Sequence, residues 1–432
     1  MSPSQPESTQ PAPARPEAAS TRPESRWHQG LVLVGIVVLA FNLRPAAVSV
    51  GPLLDEISAG LGMHGAQTSL LTALPVLCFA TIGALAPRLG HLIGLHRLIF
   101  IALLSVVVGL FARTQVSSPW PFLLLSVVSL AGMAAANVLL PSLVKLHFPD
   151  RVGQVTALYS TALAVGLTAA STLSVPIAEH GGGLSDWRRG LVTWALTAAI
   201  AAVPWIGLLR GERRTHAAAA AVRFSDVVRT RLGWAMAVFF GLQSLQAYSV
   251  FGWFADIFRD NGFSPHTAGL LLGVITGVTI PLSWFVPQMT ARSVHPWLLL
   301  TVLIGCYVVG YAGLLVAPHS GAWVWAVVIG VGSCVFPMVL TLIGLRAHTP
   351  GGTAALSGFA QSVGYLIAVI GPFGVGVIHD ATGGWTAPLL ALLLLCIPQY
   401  LAGLMVCRPR FLEDELPDHP GASNPTAPTV FS

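Results

Sequence analysis

Arg44 is the residue whose type and place point most sharply to chemistry. It stands in the apolar stretch Gln29–Val50, about fifteen residues in, or about 20 Å along a helix. A guanidinium in hydrocarbon costs roughly 2.5–3.5 kcal/mol, so it is expected to face a cavity or a partner. No other Lys, Arg, Asp or Glu stands clearly inside an apolar stretch; Asp55 lies further out on the same face. A planar, always-charged donor suits a carboxylate, cyanate or nitro group. The plainer reading is an arginine bonded to carbonyls freed near Pro45.

Other polar side chains interrupt apolar stretches. Ser357, Gln361 and Tyr365 recur every fourth residue and form one stripe, fit for solute contact or for bonds between helices. Gln243, Ser244, Gln246 and Tyr248 cluster in another stretch. Asn137 precedes Pro141, where backbone is as good a partner as solute. Asn42 sits nearly opposite Arg44 on a helix, and Tyr159 serves packing or a cavity.

These residues need elements that hold them in lipid. The chain of 432 residues is 54% hydrophobic and 9% charged, against about a quarter charged in soluble domains. One soluble core could not hide that much apolar surface. A spanning helix needs about 20 apolar residues, and twelve stretches qualify. The first six are Gln29–Val50, Gln67–Ala86, Leu95–Ala112, Pro121–Val144, Val155–Ala178 and Leu191–Leu209. The second six are Leu232–Phe254, Ala268–Pro287, Pro296–Val316, Ala322–Leu345, Ala354–Ile378 and Trp385–Val406. Pro45, Pro75, Pro141, Pro281, Pro337 and Pro372 are expected to bend these helices without breaking them. The expected fold is an all-α polytopic membrane protein.

With the N-terminus inside, seventeen Lys and Arg fall on inner segments and four, Arg113, Arg188, Arg189 and Arg259, on outer ones. That bias places both termini in the cytoplasm and agrees with an even span count. The expected division is a disordered tail 1–28, a bundle 29–209, a linker 210–231, a second bundle 232–407 and a disordered tail 408–432. The halves repeat at an offset near 200: Ser49-Val50 with Ser249-Val250, Ile57 with Ile257, Gly62 with Gly262, Leu70-Leu71 with Leu270-Leu271 and Pro87 with Pro287. Two such halves place a solute between them near the midplane and move it by rocking.

The thirteen histidines lie in loops, tails or span ends, and no HExxH occurs. A buried metal site, a haem pair and a serine protease base are therefore not expected. The only lysine, Lys145, stands in no Walker motif. The five cysteines form no CxxC pair. No enzyme activity and no cofactor are expected, and the scattered basic residues give no nucleic-acid patch. Mid-span carboxylates, common as proton relays, are absent; Asp55, Glu56 and Asp256 lie near outer ends. Protons remain open as a coupling ion, and import and export are both open.

Local motifs sharpen this. Gly83-Ala-Leu-Ala86-Pro87-Arg88-Leu-Gly90, after the second stretch, resembles the G-x-L-A-D-R-x-G loop of the major facilitator superfamily. Pro149-Asp150-Arg151-Val152-Gly153 and Asp186-Trp187-Arg188 resemble other turns of that family. Asn42-Leu43-Arg44-Pro45-Ala46, Ser49-Val50-Gly51-Pro52-Leu53 and Asn137-Val-Leu-Leu-Pro141 resemble its cyanate and 2-nitroimidazole branch. The resemblance implies twelve helices in two pseudo-symmetric six-helix bundles, a gating loop with Gly83, Arg88 and Gly90, and a small anion or polar heterocycle as solute. A monomer in the cell membrane is expected. Pro87 replaces the usual Asp, so any lock made by that loop must use Arg88, His91 or packing. A proton-coupled drug antiporter on the same fold is the alternative, which Arg44 disfavours; a sensor or membrane enzyme lacks the clusters or domains it would need.

Overall fold

The computed structural model describes residues 26–179, 187–209 and 222–416. Regular structure among them is helical throughout. Span 1 is Arg26–Asn42, continued after a turn by Pro45–Val48. Spans 2 to 6 are Gly65–Ile93, Leu95–Arg113, Pro119–His147, Val152–Glu179 and Trp187–Leu209. Spans 7 to 9 are Arg231–Asp260, Pro265–Arg292 and Pro296–Val316. Span 10 has two pieces, Ala322–Ser333 and Val335–Leu345, and spans 11 and 12 are Pro350–Thr382 and Thr386–Cys407.

Eleven of these are apolar enough by composition to cross a bilayer. Span 7 is the exception among the described residues. It is 30 residues long but carries Gln243, Ser244, Gln246 and Ser249, all buried. Those side chains lower its hydropathy without meeting lipid, because neighbouring helices cover them.

Most in-span prolines sit inside continuous helices: Pro75 and Pro87 in span 2, Pro141 in span 4, Pro281 in span 8 and Pro372 in span 11. Pro45 and Pro337 differ from the expectation of simple bends. The helix stops at Asn42 before Pro45 and at Ser333 before Pro337. Proline removes the N–H that would bond the carbonyl four residues back and disfavours helix at the residue before it. The bond survives elsewhere only when local packing holds the helix straight.

The stretch Gly83–Gly90, expected as a loop, is helical and forms the last turns of span 2. The turn itself shrinks to Gly94, whose φ of +96° suits only glycine. Gly62 and Gly262, paired by the repeat, also share positive φ, +64° and +89°. Each lies just beyond the first span of its half, at the end away from the chain termini.

Residues 408–416 were expected to be disordered, yet they are seated. The Glu413 carboxylate accepts the backbone N–H of His348 at 2.8 Å and of Thr349 at 3.0 Å, and the Thr349 hydroxyl at 2.9 Å. Arg346 donates to the carbonyls of Val406 and Cys407 at 2.7 and 2.9 Å. The N–H groups bonded by Glu413 belong to the turn just before span 11, whose own first turn is capped by the Thr349 hydroxyl accepting from Gly352 at 2.9 Å. The linker residues 210–221 and the tail from 417 lie outside the described residues.

The halves meet at the end of the bundle that carries both described chain ends. Ser142 of span 4 donates to the Pro350 carbonyl of span 11 at 2.7 Å. Gly153 of span 5 lies against Pro287 and Ala291 of span 8, and Gly344 of span 10 against Val152. At the opposite end the bonds among the described residues stay within a half, as from Arg188 to Thr114 and Trp385 to Asp260. The bundle is thus closed on its terminal-bearing side.

Replacing Glu413 by Ala orphans three donors in the turn before span 11 and is expected to cost about 1–3 kcal/mol. A lower melting temperature in detergent, with faster proteolysis between 408 and 416, would register it; unchanged values would contradict the role of these bonds.

Candidate solute-binding site

The two interrupted helices face each other. Arg44 occupies the N-cap of Pro45–Val48, in the turn that breaks span 1. Phe336 begins the second piece of span 10. The Arg44 guanidinium lies over the Phe336 ring, 5.3 Å from its centroid. A cation over a ring face is attracted by the ring quadrupole.

More rings close around this pair. Phe336 neighbours Phe240 of span 7 at 6.1 Å. Phe240 meets Tyr365 of span 11 edge-on at 5.2 Å, and Phe79 of span 2 lies 4.3 Å from Tyr365. Tyr248, two turns beyond Phe240, lies 6.4 Å from Tyr365. Arg44 and Tyr248 are electrostatic neighbours of the Tyr365 hydroxyl. That hydroxyl is buried, with Arg44 and Tyr248 beside it and no partner at full hydrogen-bond geometry among the described residues. Arg44 is only half-buried, so its donors keep a route to a solute. The cluster offers one cation, two hydroxyls and several apolar ring faces: a binding surface for something flat with electron-rich oxygen or nitrogen.

The carbonyls freed by the two prolines are handled without Arg44. Opposite Pro45, the Phe41 carbonyl is covered by Gly166 of span 5, too close for any Cβ to fit. A Cα–H facing a carbonyl is a weak but favourable contact. Opposite Pro337, the Ser333 carbonyl accepts Nε2 of Gln243 at 3.3 Å. Gln243 also reaches the Tyr307 hydroxyl at 3.3 Å and accepts from Gln399 at 2.9 Å.

The other expected residues are placed as follows. Gln246 donates to the Leu392 carbonyl at 3.0 Å and accepts from Tyr311 at 2.8 Å, tying span 7 to spans 12 and 9. Asn42 accepts from Thr197 at 2.8 Å and so ties span 1 to span 6, the matching pair in the first half. Ser244 is buried with its hydroxyl unbonded, as is Tyr159 of span 5. The structure does not bring Tyr159 into the ring cluster. The side chain of Asp55 lies outside the described part.

Asn137, Gln361 and Ser357 form a clasp between halves. Asn137 donates to Gln361 Oε1 at 2.6 Å, Gln361 donates to Ser357 Oγ at 2.9 Å, and Ser357 donates to the Val138 carbonyl at 2.7 Å. Gln361 stands one turn from Tyr365, so clasp and ring cluster share a helix face. Beyond the clasp, Gly358 receives the ring of Pro87; a Cβ there would lie 2.5 Å from Pro87 Cγ. Gly83 packs beside Ser362 and Val138. Pro87 therefore joins span 2 to span 11 by packing where the family motif has an acid. Gly90 is covered by Leu139, Leu95 and Leu98, while Arg88 is exposed.

Sequence reading did not find Phe79, Phe240 or Phe336, because nothing local distinguishes them from other apolar residues. It also assigned Arg113 to an outer segment and gave it no structural role. In fact Arg113 is fully buried in the last turn of span 3, donates to the Ala46 carbonyl at 3.4 Å and lies over Phe122 at 5.8 Å. It braces the short helix that follows Arg44. A basic residue ending an apolar run, with an aromatic nearby, was the only available signal.

The sequence profile of the Major Facilitator Superfamily matches residues 32–372. The chain belongs to that superfamily and is a transporter, not an enzyme. It is 34% identical to the uncharacterized transporter YycB of Bacillus subtilis, over 92% of this chain and 97% of that protein. It is 34% identical to the 2-nitroimidazole transporter of Escherichia coli, over 88% and 95%, and 28% identical to its cyanate transport protein CynX, over 89% and 98%. Among solved structures it is similar to FucP in the outward conformation, with TM-score 0.68 at 14% identity, covering 88% of this chain and 99% of that one. The proton:xylose symporter XylE gives TM-score 0.68 at 12% identity, covering 88% and 94%.

Gln243→Ala strands the Ser333 carbonyl and is expected to destabilise the protein by about 1–3 kcal/mol. Thermal unfolding should show the loss while the KM of the folded fraction stays unchanged; a raised KM at normal stability would make Gln243 a solute contact. Gly358→Val should prevent Pro87 from seating. Labelling of a cysteine placed at Ser142 should then accelerate, and unchanged labelling would contradict the packing latch.

Proposed function

We propose that this transporter carries a small planar anion or polar heterocycle, cyanate-like or nitroimidazole-like, across the bilayer by alternating access. The observation that carries the reading is Arg44: half-buried between the halves, over the Phe336 ring, with the buried Tyr365 hydroxyl beside it. Arg44, Tyr365 and Tyr248 hold the solute, with Phe336, Phe240 and Phe79 as its apolar walls. Gln361 and Asn137 couple the site to closure, since their bond crosses the halves one turn away. Gln243, Gln246 and Asn42 keep the helices in register. Tyr159, fully buried in span 5, serves packing in this reading. The names of the relatives support a small polar or anionic solute.

The arginine bias supports cytoplasmic termini in the cell membrane, and one chain contains the whole site, so a monomer suffices. The chemistry is recognition and movement. A guanidinium gives two parallel donors to a carboxylate or nitro group, and the rings give dispersion contact to a flat solute. Rocking then exposes the site to the other side. A monovalent anion entering against a negative interior costs about 2.3 kcal/mol per 100 mV, so import requires coupling or consumption and export does not.

The aromatic walls also favour a second reading, a proton-coupled antiporter of aromatic drugs. Flux assays in proteoliposomes with cyanate, 2-nitroimidazole and a cationic dye, with and without a pH gradient, separate the two. In the preferred reading Arg44→Lys lowers kcat/KM about 100-fold, a loss of ~2.7 kcal/mol, and Arg44→Leu abolishes flux at normal expression. Undiminished flux in Arg44→Leu would overturn the role.

A further inference from the structure

A cavity stands apart from Arg44. It has a volume of about 930 Å³ and lies at the terminal-bearing end, between the last turns of span 2, span 4, the start of span 11 and linker residues 222–225. Three basic side chains line it, Arg88, His91 and Arg223, and no carboxylate does among the described residues. Among the described residues no carboxylate pairs with any of the three side chains. The neighbouring Asp226 carboxylate is occupied by the Arg223 backbone N–H at 2.8 Å and the Ser225 hydroxyl at 3.4 Å.

The other wall is apolar and exposed. Leu85, Leu92 and Leu146 line the cavity and are 50%, 66% and 44% exposed. Leu85 and Leu92 lie two turns apart on span 2 and continue its outer face. A dissolved anion would have no use for such a wall. A molecule with an anionic head and a hydrocarbon chain uses both.

We propose that this groove binds an anionic phospholipid. Arg88, Arg223 and His91 surround the phosphate, and the leucines follow the acyl chain. Basic pockets between spans at the membrane surface hold anionic head groups through charge attraction of this kind. Pro87 makes the arrangement possible. With the family acid absent, Arg88 has no carboxylate beside it in the motif, and packing of Pro87 on Gly358 leaves its guanidinium uncommitted. The lipid touches both halves and holds this end closed.

Native mass spectrometry of the full chain in detergent, with equal phosphatidylglycerol and phosphatidylcholine, tests this. The wild type is expected to retain phosphatidylglycerol preferentially, and Arg88→Gln with Arg223→Gln to lower that preference about tenfold. The Arg88→Lys, Arg223→Lys pair, which keeps charge and fold, is expected to preserve it. Equal retention of the two lipids by the wild type, or an unchanged preference in the Gln pair, would overturn the proposal. Displacement of the lipid by millimolar inorganic phosphate would also overturn it and assign a soluble phosphate instead. Should the Gln pair fail to fold, the wild-type lipid and phosphate comparisons decide alone.

Discussion

A proline inside a membrane helix leaves the carbonyl four residues back without its donor, and hydrocarbon offers no water in exchange. The rest of this structure follows from how those carbonyls are satisfied. Gly166 covers Phe41, Gln243 bonds Ser333, and Gly358 lies against Gly83. Each solution joins one span to a particular neighbour. The first two occur where a helix actually stops, and there the chain can turn a side chain inward. Arg44 and Phe336 are those side chains. The site is therefore a product of two interruptions, each stabilised from outside the site by a different residue.

The same reasoning explains why so many polar side chains are bonded to one another. An unpaired amide in this interior is costly, and a paired one is cheap. Gln246 with Tyr311, and Gln243 with Tyr307 and the Gln399 amide N–H, bond one another inside the second half. Asn42 and Thr197 do so in the first. These bonds tie first to last span in each half and keep each half rigid. Rigid halves are what rocking requires. The bonds that must break are those between halves, and Asn137 to Gln361 is such a bond, one turn from the Tyr365 hydroxyl that faces Arg44. In the proposed reading, a solute at Arg44 would influence closure through a single helix turn.

Much of this was legible in the chain. Hydropathy and arginine bias gave twelve spans and two halves, because lipid enforces apolar runs of fixed length. Arg44 stood out because a charge in such a run is expensive. The glycine pair Gly62 and Gly262 appeared as a repeat and proved to share a backbone conformation. Other features depended on tertiary contacts. Whether Pro45 breaks a helix while Pro141 does not is decided by what packs beside it. Phe79, Phe240 and Phe336 come from three spans and meet only in the folded bundle. Span 7 looks marginal alone because its glutamines are read without the partners that bury them. The segment 408–416 looked like a tail because its charged composition gives no hint that Glu413 bonds the turn before span 11.

The central claim is that solute sits where the interruptions of spans 1 and 10 meet. Anomalous diffraction from crystals grown with a brominated analogue of the transported solute tests it most directly. The account expects a single bromine peak in van der Waals contact with the Arg44 guanidinium and the ring of Phe336 or Tyr365. A peak elsewhere in the bundle, with the Arg44 cluster unoccupied, would contradict it.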